Sequence, residues 1–231
     1  MIFKKIFYNS YLAFKNIQSY GILIIIKSAL FEFYYSIIYQ DFSFFNFDKP
    51  DNENISYKDS KILKDYIAPN IPTPYYFLYL IKKKIISEKY KSFNFIDLGC
   101  GSGRLVKYFD KKFDINFIGI DISQNVIETN KSKFKKDNLK FFLMDLKKIK
   151  EISDLELLDP KFLDKDHNIV FISDSVDAQT IYNFLPIFKQ KLGNFFFIMV
   201  NQKDLDVFSG LDSIGNIFFK NKTRNINFFK I

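Results

Sequence analysis

The chain has 231 residues, of which 48% are hydrophobic, and it carries a formal net charge of +8. This length and apolar content are enough to bury a sizeable core, which excludes an intrinsically disordered protein. The single cysteine, Cys100, cannot form an intramolecular disulfide. A secreted disulfide scaffold is therefore excluded, and a reducing cytoplasm is the predicted location.

Residues 1–47 are rich in apolar and aromatic side chains. The stretch 21–39 is nearly long enough to cross a bilayer, but Lys27 and Glu32 interrupt it, so we do not predict a transmembrane span. No cleavage site of small residues follows it, which argues against a secretory signal. We predict one or two helices that cap the domain and shape a substrate pocket, with a peripheral position on a membrane surface as the alternative.

Residues 42–74 contain several turn signals around a short predicted helix at about 57–66, and we interpret this segment as a lid. The predicted domains are therefore an N-terminal helical extension, residues 1–70, and a catalytic domain, residues 71–231.

Predicted strands and helices alternate from residue 75 onwards, which is typical of a parallel sheet with helical crossovers. The predicted helices are 75–87, 103–111, 123–135 and 177–191, and the strands are 93–98, 115–120, 139–144, 168–172 and 195–200. Two further strand-like runs, 215–220 and 224–231, are separated by a three-residue connection suited to a hairpin. The fold class is thus α/β: a Rossmann-like, doubly wound, mostly parallel seven-stranded sheet with a C-terminal antiparallel hairpin.

A glycine-rich turn follows the first strand of this domain. Residues 95–103 read FIDLGCGSG, an apolar run, an acid and then three glycines at alternate positions. Glycine permits positive φ and removes the Cβ that would block a close ligand. The next predicted strand ends on Asp121, where an acid that binds a ribose would lie. Together these features predict a cofactor that contains adenosine.

The spacing of the glycines separates two classes of cofactor. A dinucleotide turn needs a third glycine at position 104, where this chain has Arg104, so a nicotinamide-dependent oxidoreductase is disfavoured. The sequence D-x-G-x-G-x-G instead resembles the first motif of the class I S-adenosylmethionine-dependent methyltransferases. That resemblance implies S-adenosylmethionine as the cofactor.

The same resemblance assigns roles to individual positions. It implies that Asp97 orders the loop near the methionine part of the cofactor, that Asp121 binds both ribose hydroxyls and that Asp145 lies near the adenine. The residues that it places at the cofactor are Asp97, Gly99, Cys100, Gly101, Gly103, Asp121, Ile122, Asp145 and Ser173. Within the loop, we interpret Cys100 as a small packing residue and not as a nucleophile.

A second resemblance concerns the acceptor. The run Ile71-Pro72-Thr73-Pro74-Tyr75-Tyr76 before the glycine loop is similar to bacterial methyltransferase-like proteins and, more distantly, to protein-lysine methyltransferases. Protein lysine is therefore the first predicted acceptor, with a saccharide, a lipid or RNA as alternatives. The lysine clusters at 82–84, 131–136 and 147–150 fit a nucleic-acid or anionic-lipid surface, but we interpret them as ordinary solvated faces. A non-catalytic member of the fold that serves as an interaction platform stays open.

Few residues qualify as catalytic groups. Asp174 follows the predicted fourth strand beside the cofactor crevice, so we predict that it touches the acceptor; a helix cap or loop acid is the alternative. His167, the sole histidine, precedes the same strand and should lie at the opposite end of the sheet. No paired histidines or cysteines occur at ligand spacing, so we predict no bound metal.

Overall fold

The computed structural model describes residues 18, 20–41, 73–173, 176–202, 204–220 and 225–231. The helix predicted at 57–66 and the connection 221–223 lie outside these residues. The described helices are α1 (Ile22–Tyr39), α2 (Tyr75–Ser87), α3 (Arg104–Phe109), α4 (Gln124–Lys133) and α5 (Ala178–Leu192). The strands are β1 (Ser92–Leu98), β2 (Asp114–Asp121), β3 (Leu139–Leu143), β4 (Asn168–Ser173), β5 (Phe195–Val200), β6 (Asp212–Phe218) and β7 (Asn225–Lys230).

The strands form a single seven-stranded sheet in the order β3-β2-β1-β4-β5-β7-β6. Strands β1 to β5 pair in parallel, and β7 is antiparallel to both β5 and β6. Strand β6 therefore points the same way as β1 to β5, and β7 alone is reversed. The predicted Rossmann-like sheet with its C-terminal hairpin is confirmed, and the structure adds that the second strand of the hairpin inserts beside β5.

The central strands are apolar because helices cover both faces of the sheet. All six residues of β5 are buried, as its unbroken apolar run predicts. One face packs against α2 and α3, and the other packs against α5. The five strands between these two layers run in parallel, so the loops that follow them meet at one end of the sheet.

Helix α1 lies outside α2 and α3 and contacts them through aromatic side chains. Phe31 packs against Tyr76 and Tyr79 of α2, with ring centroids 5.3 and 5.0 Å apart. Tyr35 contacts the Tyr108 ring of α3 edge-on, at 5.3 Å. The helix therefore covers the domain, as expected of a capping helix, while the division into domains at residue 70 stays a prediction.

A buried ionic cluster ties α1 to the start of α3. The Arg104 guanidinium donates to Glu32 Oε2 at 2.8 Å and lies 3.4 Å from Asp41 Oδ2. The Tyr75 backbone N–H donates to Glu32 Oε1 at 2.6 Å, and the Tyr75 hydroxyl donates to Asp41 Oδ2 at 2.9 Å. Burial raises the pKa of Glu32, while Arg104 and the Tyr75 N–H act to lower it. The residue that follows the glycine loop is thus fixed to the N-terminal helix.

Removing one charge of this cluster should destabilise the fold strongly. Glu32→Gln keeps the acceptor for the Tyr75 N–H but leaves Arg104 with only part of its counter-charge in a dry site. Breaking a buried pair in this way typically costs about 3 kcal/mol of the free energy of unfolding. Urea denaturation measures this loss.

Lys27→Gln, on the exposed side of the same helix, is the matched control and should stay within about 0.5 kcal/mol of wild type. The double variant Glu32→Gln/Arg104→Met should lose less stability than the sum of the two single changes, because the charges are removed together. Additive losses would contradict a direct interaction between these side chains.

Candidate functional site

The loops after β1, β2 and β3 meet at the C-terminal ends of the parallel strands. We call this end of the sheet the cofactor edge, because the predicted cofactor residues lie there. Strands β1 and β2 are paired in register, with Leu98 opposite Ile120. Strand β3 lies on the other side of β2 and pairs Leu143 with Asp121. Because neighbouring parallel strands end together, the glycine turn and the two predicted binding acids after β2 and β3 lie side by side.

The glycine turn is held by the strand next to it. The backbone N–H groups of Gly99 and Cys100 both donate to the Ile120 carbonyl, at 2.8 and 2.9 Å. The chain then turns through positive φ values of 86° at Gly99, 49° at Gly101 and 71° at Gly103. Residues with a side chain rarely adopt such values, so the backbone itself requires glycine at alternate positions.

Gly103 and Gly101 differ in the space that surrounds them. A Cβ on Gly103 would lie 2.5 Å from the Phe134 ring and 3.2 Å from Asn130 Oδ1, so this glycine allows close packing against the end of α4. A Cβ on Gly101 would meet no atom within 4 Å. The turn is thus packed tightly on its inner side and open at Gly101, where a ligand can approach the backbone.

Asn130 is a residue of the site that the sequence analysis missed. Its side chain is buried, and its amide nitrogen donates to the Gly101 carbonyl at 2.7 Å. The same nitrogen lies 3.7 Å from the Cys100 sulfur. The signal in the sequence was its position three residues after Ile127, on the face of α4 that packs against the sheet. Asn130 therefore supports the turn from behind.

Asp97 is buried at the end of β1, directly before the turn. It is 1% exposed, and both of its carboxylate oxygens have no hydrogen-bond partner among the described residues. Burial raises the pKa of Asp97 well above its ordinary value, and the nearby Asp121 carboxylate adds to the rise. A buried carboxylate without partners is costly, so this acid calls for a hydrogen-bond donor or a positive charge.

Asp121 connects the end of β2 to the glycine turn. Its Oδ2 accepts the Gly101 N–H at 3.0 Å, and its Oδ1 accepts the Ser123 N–H at 2.9 Å. Burial raises its pKa, and these backbone donors act to lower it. A carboxylate has about four acceptor positions. Asp121 can therefore hold the turn and still accept a hydrogen bond from a hydroxyl group.

A cavity of about 410 Å³ lies beside Asp121, at the ends of β2 and β3. The residues that line it are Ile122, Leu143, Met144, Asp145, Lys148, Ile149 and Asp154. Four apolar residues together with two carboxylates and one lysine suit a flat heteroaromatic ring that carries polar edges. The Asp145 side chain accepts the Lys147 N–H at 3.0 Å, which fixes its orientation at the rim.

The remaining predicted residues fall in different places. Ser173 ends β4 at the same edge of the sheet, whereas Asp174 lies outside the described residues. His167 lies at the opposite edge, exposed and stacked on Tyr90 with ring centroids 4.3 Å apart, as its position before β4 predicts. Cys100 is buried and burial raises its thiol pKa, which fits a packing role. The described residues contain no group of three acids, histidines or cysteines placed to bind a metal ion.

Comparison with known proteins supports the interpretation of this edge. Residues 95–182 match a family model described as a methyltransferase domain. The matched segment runs from β1 through the glycine turn into α5. The predicted resemblance to class I S-adenosylmethionine-dependent methyltransferases is thereby confirmed for this segment, and the match supports S-adenosylmethionine as the cofactor. No curated protein matches the chain significantly.

A comparison with solved structures finds matches at TM-scores below 0.5. A TehB-like S-adenosylmethionine-dependent methyltransferase from Corynebacterium glutamicum is 14% identical, with 67% of this chain and 94% of that chain covered and a TM-score of 0.44. The N-methyltransferase NodS from Bradyrhizobium japonicum is 8% identical, with coverages of 74% and 96% and a TM-score of 0.48. An RNA methyltransferase from Salinibacter ruber is 13% identical, with coverages of 70% and 94% and a TM-score of 0.46. Likenesses at this level carry no information about the acceptor.

Three glycine substitutions should separate backbone strain from crowding. Gly103→Ala combines positive φ with a contact to Phe134, and we expect a loss of about 3 kcal/mol. Gly193→Ala has positive φ but open space, so about 1 kcal/mol is expected. Gly210→Ala has neither and should change stability by less than about 0.5 kcal/mol. Urea midpoints measure the series, and equal losses at Gly103 and Gly193 would show that the Phe134 ring moves aside freely.

Asp97→Asn should stabilise the unbound protein while weakening its binding of the cofactor. The folded pKa of Asp97 is raised, so the folded state holds this proton more strongly than the unfolded state. Its contribution to stability is complete below the unfolded pKa and is lost as the pH rises through the folded pKa. At pH 8 we expect the variant to melt roughly 2–4 °C above wild type, which corresponds to about 1 kcal/mol.

Melting curves from pH 5 to pH 8 test this expectation, with the exposed Asp137→Asn as the matched control. The gap between wild type and Asp97→Asn should widen as the pH rises. A constant gap, or a less stable variant at pH 8, would contradict a buried and unpartnered carboxylate.

Proposed function

We propose, on the premise that residues 95–182 form a methyltransferase domain of the class I S-adenosylmethionine-dependent type, that this chain transfers a methyl group from S-adenosylmethionine to an acceptor nucleophile. The observation that carries the proposal is Asp97, a buried carboxylate with no hydrogen-bond partner in the described part of the chain, next to a turn that is open at Gly101. Such an arrangement stores an unfavourable charge that a cationic ligand with N–H donors relieves.

The residues of the edge suit the parts of this cofactor. Asp97 and the open backbone at Gly101 would face its methionine part, Asp121 would accept the ribose hydroxyls, and the cavity between Ile122 and Asp145 would hold the adenine. When bound, the cofactor supplies a methyl group already activated on a sulfonium, which the acceptor takes while a neutral thioether leaves. The protein then has mainly to position the acceptor and exclude water.

Protein lysine is the first acceptor that we propose to test. The support is the sequence resemblance of the proline-containing segment at 71–76 to protein-lysine methyltransferases, which is a general likeness of motif and not of site chemistry. A lysine acceptor must lose its proton before it attacks. Asp174, which follows Ser173 of β4 in the sequence, is the residue that we propose to contact the acceptor. A saccharide, a lipid or RNA are the alternative acceptors.

A non-catalytic interaction platform is the second proposed function. The turn 173–175 reads Ser-Asp-Ser, whereas related lysine methyltransferases commonly carry an Asn-Pro-Phe-like turn there. Isothermal titration with S-adenosylmethionine distinguishes the two proposals. An intact fold that fails to bind the cofactor would favour the platform.

The decisive experiment is a labelling assay with a tritiated methyl donor and fractionated cell lysate. We expect label in one class of acceptor, protein first, and much less label with Asp121→Ala, because this change removes both the ribose acceptor and the support of the Gly101 N–H. The expected loss of cofactor affinity is about 10- to 100-fold, the equivalent of roughly 1.4–2.8 kcal/mol.

Asp137→Ala, an exposed acid after α4, is the matched control and should label as wild type does. Label that Asp121→Ala transfers as strongly as wild type would refute the assignment of the cofactor edge. Label in RNA, lipid or saccharide would replace lysine as the acceptor without affecting the cofactor site.

A further inference from the structure

Helix α1 buries two of its polar residues and exposes many of its apolar residues. Ser36 and Glu32 are buried against the domain. Eight large apolar side chains are 44–70% exposed on the opposite side. They are Ile22, Leu23, Ile26, Leu30, Phe33, Tyr34, Ile37 and Ile38. We call this set the outer face of α1. A helix on the surface of a soluble protein shows the reverse pattern.

The outer face is large and continuous. At roughly 100° per residue, its members cover about half of the helix circumference along the whole length of α1. Their exposed surface is on the order of 700 Å², more than the roughly 300–600 Å² of the largest apolar patch on a typical monomer. A surface of this size indicates a binding partner.

The charges around the outer face are positive. Lys27 is exposed on α1 itself. Lys83 of α2 lies over the Tyr79 ring, which packs against Phe31. Lys111 lies over the Tyr39 ring at the C-terminal end of α1, at 4.8 Å.

Lys112 extends the same basic border. It contacts the Tyr39 hydroxyl, and burial lowers its pKa to about 8, with Lys82 and Lys111 adding to the shift. The acids between residues 22 and 41, Glu32 and Asp41, are both buried and paired with Arg104. The basic border is therefore not neutralised by acids of α1.

We propose that the outer face of α1 is a docking surface for an anionic lipid bilayer, on which the helix lies flat. Apolar side chains that enter the boundary between headgroups and acyl chains, with lysines beside them, are the features that bind an interfacial helix. Tyr34 suits this boundary because Tyr is enriched there, and Phe33 suits the apolar face that an interfacial helix inserts. A second copy of the chain fits less well, because a two-fold contact would bring the two basic borders together.

The contacts on the buried side of α1 indicate that the helix lies on the membrane surface and does not cross the bilayer. The helix is long and apolar enough to span a membrane, and only 17% of it is buried in the domain. Crossing would pull Glu32 away from Arg104 and from the Tyr75 N–H into hydrocarbon, where a charged residue is costly. The ionic cluster therefore keeps α1 on the domain and presents only its outer face.

Vesicle sedimentation with the full chain tests the proposal. The probes are vesicles of phosphatidylcholine with 30% phosphatidylglycerol and vesicles of phosphatidylcholine alone. We expect wild type to bind the anionic vesicles at least tenfold more tightly. Leu30→Glu/Phe33→Glu should lose more than tenfold of this binding, and Lys83→Gln/Lys111→Gln about 30-fold, at about 1 kcal/mol per lysine.

Tyr182→Glu is the matched control, since Tyr182 is a half-exposed aromatic residue on α5, on the other face of the sheet. It should bind vesicles as wild type does. Circular dichroism and cofactor titration of every variant confirm that folding and the cofactor edge are intact, so this test is independent of the proposed function.

Three outcomes would overturn the proposal. These are wild type that sediments with neither vesicle, wild type that binds both vesicles equally, and a wild-type dimer that Leu30→Glu/Phe33→Glu dissociates. The last outcome would assign the outer face to a second copy of the chain.

Discussion

The geometry of the candidate site depends on two hydrogen bonds that the Ile120 carbonyl accepts. It accepts the N–H groups of Gly99 and Cys100, and so joins the end of β2 to the turn that leaves β1. Asp121, one residue further along, accepts the Gly101 N–H with its side chain. Consecutive positions of one strand thus set both the path of the glycine turn and the place of the acid that would hold a ribose. The register between β1 and β2 therefore determines the geometry of the cofactor edge.

The cofactor edge combines a turn whose backbone is hydrogen-bonded with a buried acid for which the described residues supply no hydrogen bond. Asn130 and Asp121 satisfy the backbone of the turn, so the turn does not need a ligand to keep its shape. Asp97 is buried, has no hydrogen-bond partner among the residues that the structure describes, and has a raised pKa. Functional sites commonly retain such a group at a cost in stability, because its interactions are completed only when a ligand binds. The rigid turn and the unsatisfied acid are complementary parts of one site.

The sheet and the main features of the cofactor edge could be predicted from the sequence, because both depend on local signals. The apolar run of β5 and the alternation of strands and helices indicated a buried parallel sheet, and the glycine spacing indicated the turn. Asn130 could not be predicted, since its role depends on the packing of α4 behind the turn. Arg104 served only to disfavour a dinucleotide motif. Its structural role depends on Glu32, which lies 72 residues earlier in the chain and forms no local pattern with it.

The sequence analysis used Glu32 only as a charge that interrupts an apolar stretch, and the structure gives this residue a further role. Its charge argued against a membrane span because it interrupts an apolar stretch. In the structure this charge is paired with Arg104 and buried beneath the helix, so the exposed surface of α1 is apolar apart from Lys27. The same ion pair therefore has two consequences. It fixes α1 to Arg104, the residue that follows the glycine turn. It also orients the helix so that Glu32 and Ser36 are buried and the outer face stays available for docking.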